Sequence, residues 1–114
     1  MLIDLSQYRF FIRPGVTDLR KAINGLTVLI QNEMKEEVFS ESLFLFCNRT
    51  RRLMKIVYWD KTGFCLWQKR LENQKFPWPE SEAEAQEISR EELEMLLKGI
   101  DFFHAHKEMF FSQV

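Results

Sequence analysis

Long apolar runs are missing from this chain. The longest uninterrupted stretch is Leu43 to Cys47, far short of the roughly 20 residues that cross a bilayer as a helix. No membrane association is expected. Cysteine is scarce: Cys47 and Cys65 alone do not make a disulfide framework. Neither has a histidine beside it in sequence, so a catalytic thiol is not expected. Histidine is equally scarce. His104 and His106 form an H-A-H pair with no third nitrogen or sulfur ligand near, whereas a zinc-type site takes three or four ligands. No Gly-rich phosphate loop and no Ser/His/Asp pattern is present. Two-metal phosphoryl transfer needs converging carboxylates. Asp18, Asp60 and Asp101 instead read as a helix start, a turn and the residue after a helix stop. The sequence therefore predicts no catalytic residues, no metal and no cofactor. The first residues, MLIDLSQY, lack the basic and long apolar regions of a secretory signal, and cytoplasmic residence is the default expectation.

What is present is core-forming material. The chain has 114 residues, 46% of them hydrophobic, with eleven Phe and three Trp. That suits one ordinary domain, residues 1–114, and excludes a disordered polar chain. Net charge is −1, but its distribution is uneven. Residues 43–79 carry eight Lys/Arg against two Asp/Glu, and residues 80–101 carry two against eight. Such a split either presents a basic face to an acidic partner or neutralises itself within the fold.

The periodicities define an α+β order. YRFFIRPG reads as a short strand from Tyr8 to Arg13, stopped by Pro14-Gly15. Thr17 then reads as an N-cap, with Leu19, Ala22, Ile23, Leu26, Leu29, Ile30 and Met34 forming one stripe of a helix over 18–35. Gly25 on its flank suggests close packing of the backbone. Three strand-like runs follow, LFLFC, LMKIVYW and FCLWQKRL, joined by NRTRR and DKTG. They predict a three-stranded antiparallel meander. Symmetric turns place Cys47 opposite Leu53 and Trp59 opposite Phe64. One face then carries Phe44, Phe46, Met54, Ile56, Tyr58, Cys65 and Trp67, and is expected to meet the helix. The other carries Leu43, Leu45, Leu53, Val57, Phe64 and Leu66, with Lys55, Gln68 and Arg70 towards one end. It is too apolar to stay bare. The two cysteines fall on opposite faces. FPWPESEAEAQ reads as a linker. Ser89 and Glu92 then make a capping box, with Ile88 as a staple on Leu93, and Gly99-Ile100 a helix stop.

One stretch, Cys47 to Leu71, holds seven basic residues and one acid. Arg49, Arg51 and Arg52 sit in one turn and are expected to project from a hairpin tip. Lys55, Lys69, Arg70 and Lys75 lie on the meander or just beyond it. A strand ribbon bearing such cations can track phosphates, and exposed rings can stack on bases. The alternation of Trp59 and Trp67 fits burial better. Arg20 and Lys21 on the helix's polar face are secondary candidates near a helix start, where a solvated face is the plain alternative.

Three blocks carry a family resemblance: PGVTDLRKAINGL; FSESLFLFCNRTRRLMKIVYWDKTGFCLWQKRLENQKFPWP; and LEMLLKGID. In order and spacing they resemble the TnpB accessory proteins of IS-66 insertion sequences, over residues 10 to 101. Gly15, Asp18, Arg20, Lys21, Gly25 and Leu26 match in the first block. Phe44, Arg49, Lys55, Trp59, Asp60, Gly63, Lys69, Arg70, Trp78 and Pro79 match in the second. Ala22 and Asn24 depart from the usual Gly and Asp. The resemblance implies a non-catalytic factor assisting DNA transposition, with the element's ends and its transposase as expected partners. Residues 102–114 are a Phe-rich tail outside the shared core of 1–101.

Two readings follow. In the first, Arg49, Arg51 and Arg52 contact DNA at the tip, with Lys55, Lys69, Arg70 and Lys75 on phosphates. In the second, an apolar sheet face and Phe102, Phe103, Phe110 and Phe111 bind transposase or a second copy as a homodimer, without touching DNA.

Overall fold

The computed structural model describes residues 4–80 and 86–98. Its elements run β1 (Arg9–Ile12), α1 (Ile23–Leu29), β2 (Ser42–Cys47), β3 (Leu53–Asp60), β4 (Gly63–Arg70), β5 (Gln86–Ile88) and α2 (Arg90–Leu97). The class is α+β, and β2, β3 and β4 form an antiparallel meander. The sheet is larger and more mixed than a meander with one extra strand. It has five strands in the order β4-β3-β2-β1-β5, with β1 parallel to β2 and β5 antiparallel on β1. A parallel neighbour requires a crossover rather than a tight turn, and the segment carrying α1 supplies it. β5 begins at Gln86, the last residue of the stretch expected to be a linker. Arg9 clamps it with two 2.9 Å hydrogen bonds to the Glu87 carboxylate.

Each sheet face is covered. On one side Leu26 of α1, with Leu19, Ile30, Met34 and Val38, packs against Phe11, Phe44, Phe46 and Val57. On the other, Leu93 and Leu96 of α2 join Phe10, Ile12, Leu43, Leu45, Cys47, Met54, Ile56, Tyr58 and Ile88. The expected face of α1 is therefore corrected in part: α1 meets Phe44 and Phe46 as expected, but with Val57, Phe64 and Leu66 in place of Met54, Ile56, Tyr58, Cys65 and Trp67. The cause is a one-residue slip between β2 and β3. Cys47 lies opposite Met54, not Leu53, whereas Trp59 does lie opposite Phe64. The NRTRR loop is asymmetric. Asn48 N–H donates to the Leu53 carbonyl (3.1 Å) and Arg51 N–H to the Asn48 carbonyl (3.1 Å). Arg51 takes φ +60°, a left-handed conformation that closes the turn one residue early. A slip of one exchanges every side chain of β2 between faces. Cys47 and Cys65 consequently share a face, and both are free thiols.

The first helix also starts late. The Asp18 carboxylate accepts from the Arg20 backbone N–H (3.0 Å), a local turn that competes with helix. Thr17 caps nothing; Ala22 precedes the helix without a side-chain cap. The expected end near residue 35 holds, because Ile30–Met34 continues as a wider π-turn, stopped by Lys35 at φ +56°. Gly25 packs close, but on Lys21 of its own chain stretch: a Cβ there would lie 3.1 Å from Lys21 Cβ.

The linker expectation fails at its start. Phe76 and Trp78 are core residues, 1% and 5% exposed. Trp78 Nε1 donates to the Arg13 carbonyl (2.8 Å), and Gly15 N–H donates to the Pro79 carbonyl (2.8 Å). Residues 76–80 thus strap the end of β1 to the meander. The capping box holds as expected: Glu92 N–H donates to Ser89 Oγ (3.1 Å) and Ser89 N–H to Glu92 Oε1 (2.9 Å). Ile88 and Leu93 share the core beneath it. Gly99-Ile100, Asp101, His104, His106 and the tail lie outside the described residues.

Candidate nucleic-acid interface

Two turns distant in sequence meet on the α1 side of the molecule. Residues 16–20, after β1, form one wall, and the Asn48–Leu53 loop forms the other. They enclose an open groove of about 670 Å³ lined by Val16, Thr17, Asp18, Leu19, Arg20, Asn48, Arg49, Thr50 and Leu53.

Each wall is built by side chains that the sequence did not mark. Arg13, three-quarters buried, donates from Nη1 to the Val16 carbonyl (3.1 Å) and to Thr17 Oγ1 (2.7 Å), and from Nη2 to Glu33. Thr17, 2% exposed, donates its N–H to the Cys47 carbonyl (2.8 Å), which ties the first wall to the end of β2. On the second wall Asn48 Oδ1 accepts from the backbone N–H of Arg52 (3.2 Å) and Leu53 (3.1 Å) and from the Thr50 hydroxyl (3.3 Å). A short polar side chain that accepts from its own loop is the usual way such turns are fixed. An Asn at the head of a turn was the available signal; nothing in local sequence marks Arg13.

The predicted cations divide into two groups. Arg20, Lys21, Arg49, Arg52, Arg70 and Lys75 are exposed. Arg20 and Arg49 line the groove together. Arg70 lies opposite Leu53 on the same sheet face, and it pairs loosely with Glu72 at 3.1 Å. Arg52 donates to the Glu72 carbonyl (2.7 Å). Arg51, Lys55 and Lys69 are engaged inside the fold. Arg51 does not project from the tip. It reaches back to the Trp78 carbonyl (3.5 Å) and the Glu80 carboxylate (3.3 Å), because its left-handed backbone turns the side chain towards the 76–80 strap. Lys55 Nζ donates to the carbonyls of Leu19 (2.8 Å) and Lys21 (3.2 Å), underpinning the groove's first wall. Lys69 Nζ donates to the Leu97 carbonyl (2.8 Å) at the end of α2, on the opposite sheet face.

Arg20 and Asp18 form a two-pronged pair, with Nε to Oδ1 at 2.9 Å and Nη2 to Oδ2 at 2.7 Å. The guanidinium hydrogen bonds hold the Asp18 carboxyl well below the usual carboxylate range, and the same contact raises Arg20. The pair is open to water, so it orients Arg20 rather than burying it. Nearby Cys47 is inert: burial pushes its thiol up to about 12.

Among the described residues the acidic block makes little contact with the basic one. Among the described residues a single ion pair joins them, Arg51 to Glu80. Glu91, Glu92 and Glu94 ride on α2, whose packing face is opposite that of α1. The aromatics divide as well. Trp78 is core, whereas Trp67 and Trp59 are both half-buried, Trp59 in a cluster with Phe39 and Phe64. Among the described residues no group of three or more His, Cys, Asp or Glu is placed to hold a metal ion, and no helix is long and apolar enough to cross a membrane.

The architecture is thus a five-stranded α+β domain with a groove on one face that carries Arg20, Arg49 and Asp18. The chain belongs to the IS66 Orf2-like family, whose model matches residues 8–107. This is a family of transposition-associated accessory proteins of insertion sequences. Two curated relatives come from Sinorhizobium fredii (strain NBRC 101917 / NGR234). The uncharacterized protein y4hO is 36% identical over 104 residues, covering 91% of this chain and 90% of the relative. The uncharacterized protein y4jC is 29% identical over 94 residues, covering 82% and 80%. No solved structure matches the chain.

Proposed function

We propose that this accessory protein is non-catalytic and assists transposition by contacting the DNA of its element's ends through the groove. The observation that carries this reading is the placement of Arg20 and Arg49 along one groove by two turns that lie far apart in sequence. Asn48 and Thr50 beside them offer short polar groups of the kind that contact phosphate oxygens. Lys21 and Arg70 extend the positive surface on the same side. The net-acidic α2 packs on the other side, which favours one orientation of approach to a polyanion. Phosphate contacts of this kind position a protein without reading sequence, so end recognition requires base contacts in addition. Arg52 and Lys75 are outlying phosphate candidates.

The test is a titration of the purified chain against duplexes of the element's terminal repeats and a scrambled duplex, over a range of salt. Binding that weakens steeply with salt is the expected result, since each neutralised phosphate releases counterions. Absence of binding at low salt overturns the reading and leaves the second one, an adaptor that binds transposase without touching DNA. The exposed Phe39 ring (57% exposed) beside Trp59 and Phe64 is the feature favouring that alternative.

A further inference from the structure

β4 is an outer strand of the sheet, and among the described strands it pairs with β3 alone. It is eight residues long and carries Phe64, Leu66 and Trp67, all half-buried. An edge of this length that is open among the described residues and bears large apolar side chains is a template for another strand. At its N-terminal end Phe64 belongs to a ring cluster: Phe39 to Trp59 at 5.0 Å, Phe39 to Phe64 at 5.6 Å and Trp59 to Phe64 at 5.0 Å. The Phe39 ring caps this cluster with more than half of its surface in water. At the C-terminal end Arg70 projects from the same face as Phe64, with its side chain 72% exposed.

We propose that this edge pairs with the same edge of a second copy, antiparallel, about a two-fold axis through Trp67. Antiparallel pairing about an axis normal to the sheet sets residues of the same face opposite each other. With Trp67 on the axis, Arg70 of each copy lies opposite Phe64 of the other and beside the rings of Phe39 and Trp59. A guanidinium against such rings is an attractive cation–π contact, and symmetry makes it twice. The two Arg70 side chains then stand about 20 Å apart along the strands, beyond the screening length at physiological salt. Parallel pairing of the same edges would set Arg70 against Arg70. The strand's own pattern, rings at one end and cations at the other, is therefore complementary to itself in the antiparallel sense.

The experiment is sedimentation equilibrium of the full chain without DNA, from low to high micromolar, with amide hydrogen exchange at the same concentrations. Arg70→Glu and Phe39→Ala are the variants. Both side chains are exposed, and a thermal melt of each checks the fold. A reversible dimer is expected, with alternate β4 amides gaining protection as it forms. Each variant should weaken dimerisation about tenfold. A monomer throughout overturns the proposal. So does a dimer that neither variant weakens, or β4 protection already complete in the monomer, which would mean that the chain covers its own edge. Because no DNA is present, the outcome is independent of the groove reading.

Discussion

Replacing Lys55 by Met separates two meanings of a cation in a basic segment. Met keeps the apolar stem and removes the ammonium. In the structure Lys55 Nζ donates to the carbonyls of Leu19 and Lys21, so the substitution leaves two acceptors without their partner. A hydrogen bond to a charged group contributes about 1.5–3 kcal/mol. The Lys21 carbonyl sits at an exposed residue and water can replace the donor there. The Leu19 carbonyl belongs to a buried residue, 7% exposed, and recovers less. A net loss of about 1–2 kcal/mol follows, or a Tm lower by about 4–8 °C for a domain of this size. Differential scanning calorimetry of wild type and Lys55→Met measures it, with Lys21→Met as an exposed comparison expected to change little. If Lys55→Met leaves Tm unchanged and lowers the salt dependence of DNA binding by one phosphate contact instead, Lys55 faces solvent and the wall-building role is wrong.

Three other outcomes follow from local geometry. Ser89→Ala removes the acceptor of the Glu92 N–H and should cost about 1 kcal/mol, seen as a Tm lower by about 4 °C; an unchanged melt would mean that the box does not hold α2. Asp18 has a folded pKa depressed by Arg20, so the pair contributes above the ordinary aspartate range and is lost as pH falls through the folded value. Carboxyl-carbon NMR should place the Asp18 midpoint well below that of an exposed aspartate, with Arg20→Ala moving it up; equal midpoints refute the pairing. Cys47, held as a thiol by burial, should resist a disulfide reagent at pH 8 until the chain unfolds. Fast modification in a Cys65→Ser variant would show the site to be open.

The sequence showed most clearly the features that are closed within a few residues. The Ser89–Glu92 box, the Ile88 staple and the strand alternation of β3 and β4 are of this kind, because both partners of each contact lie in one short window. The β2–β3 register was not legible, since it depends on where Asn48 and a left-handed Arg51 close their loop. Nothing in NRTRR specifies the one-residue shift, and that residue set Phe44 and Phe46 on the same face as Val57, Phe64 and Leu66 instead of Met54, Ile56 and Trp67. The start of α1 failed for a similar reason. Asp18 has two local uses, helix dipole and side-chain turn, and the Arg20 guanidinium decides for the turn. Phe76 and Trp78 read as linker because two prolines break any periodicity, yet their burial is set by β1 and Arg51, which are distant in sequence. At the candidate site, residue types were visible and roles were not. Arg49 and Arg20 keep exposed positions on one groove, whereas Arg51, Lys55 and Lys69 are spent on backbone carbonyls and one carboxylate. Arg13, which fixes the groove's first wall, carries no local mark.

The central claim is that the groove formed by residues 16–20 and 48–53 meets DNA phosphates. The direct measurement is the slope of log K against log salt for wild type and an Arg20→Ala, Arg49→Ala double variant on one terminal-repeat duplex. Two lost phosphate contacts should flatten the slope by about 1.8 and weaken binding at low salt, with the fold intact by thermal melt. Identical slopes and affinities for the two proteins would contradict the account and place any DNA contact elsewhere on the molecule.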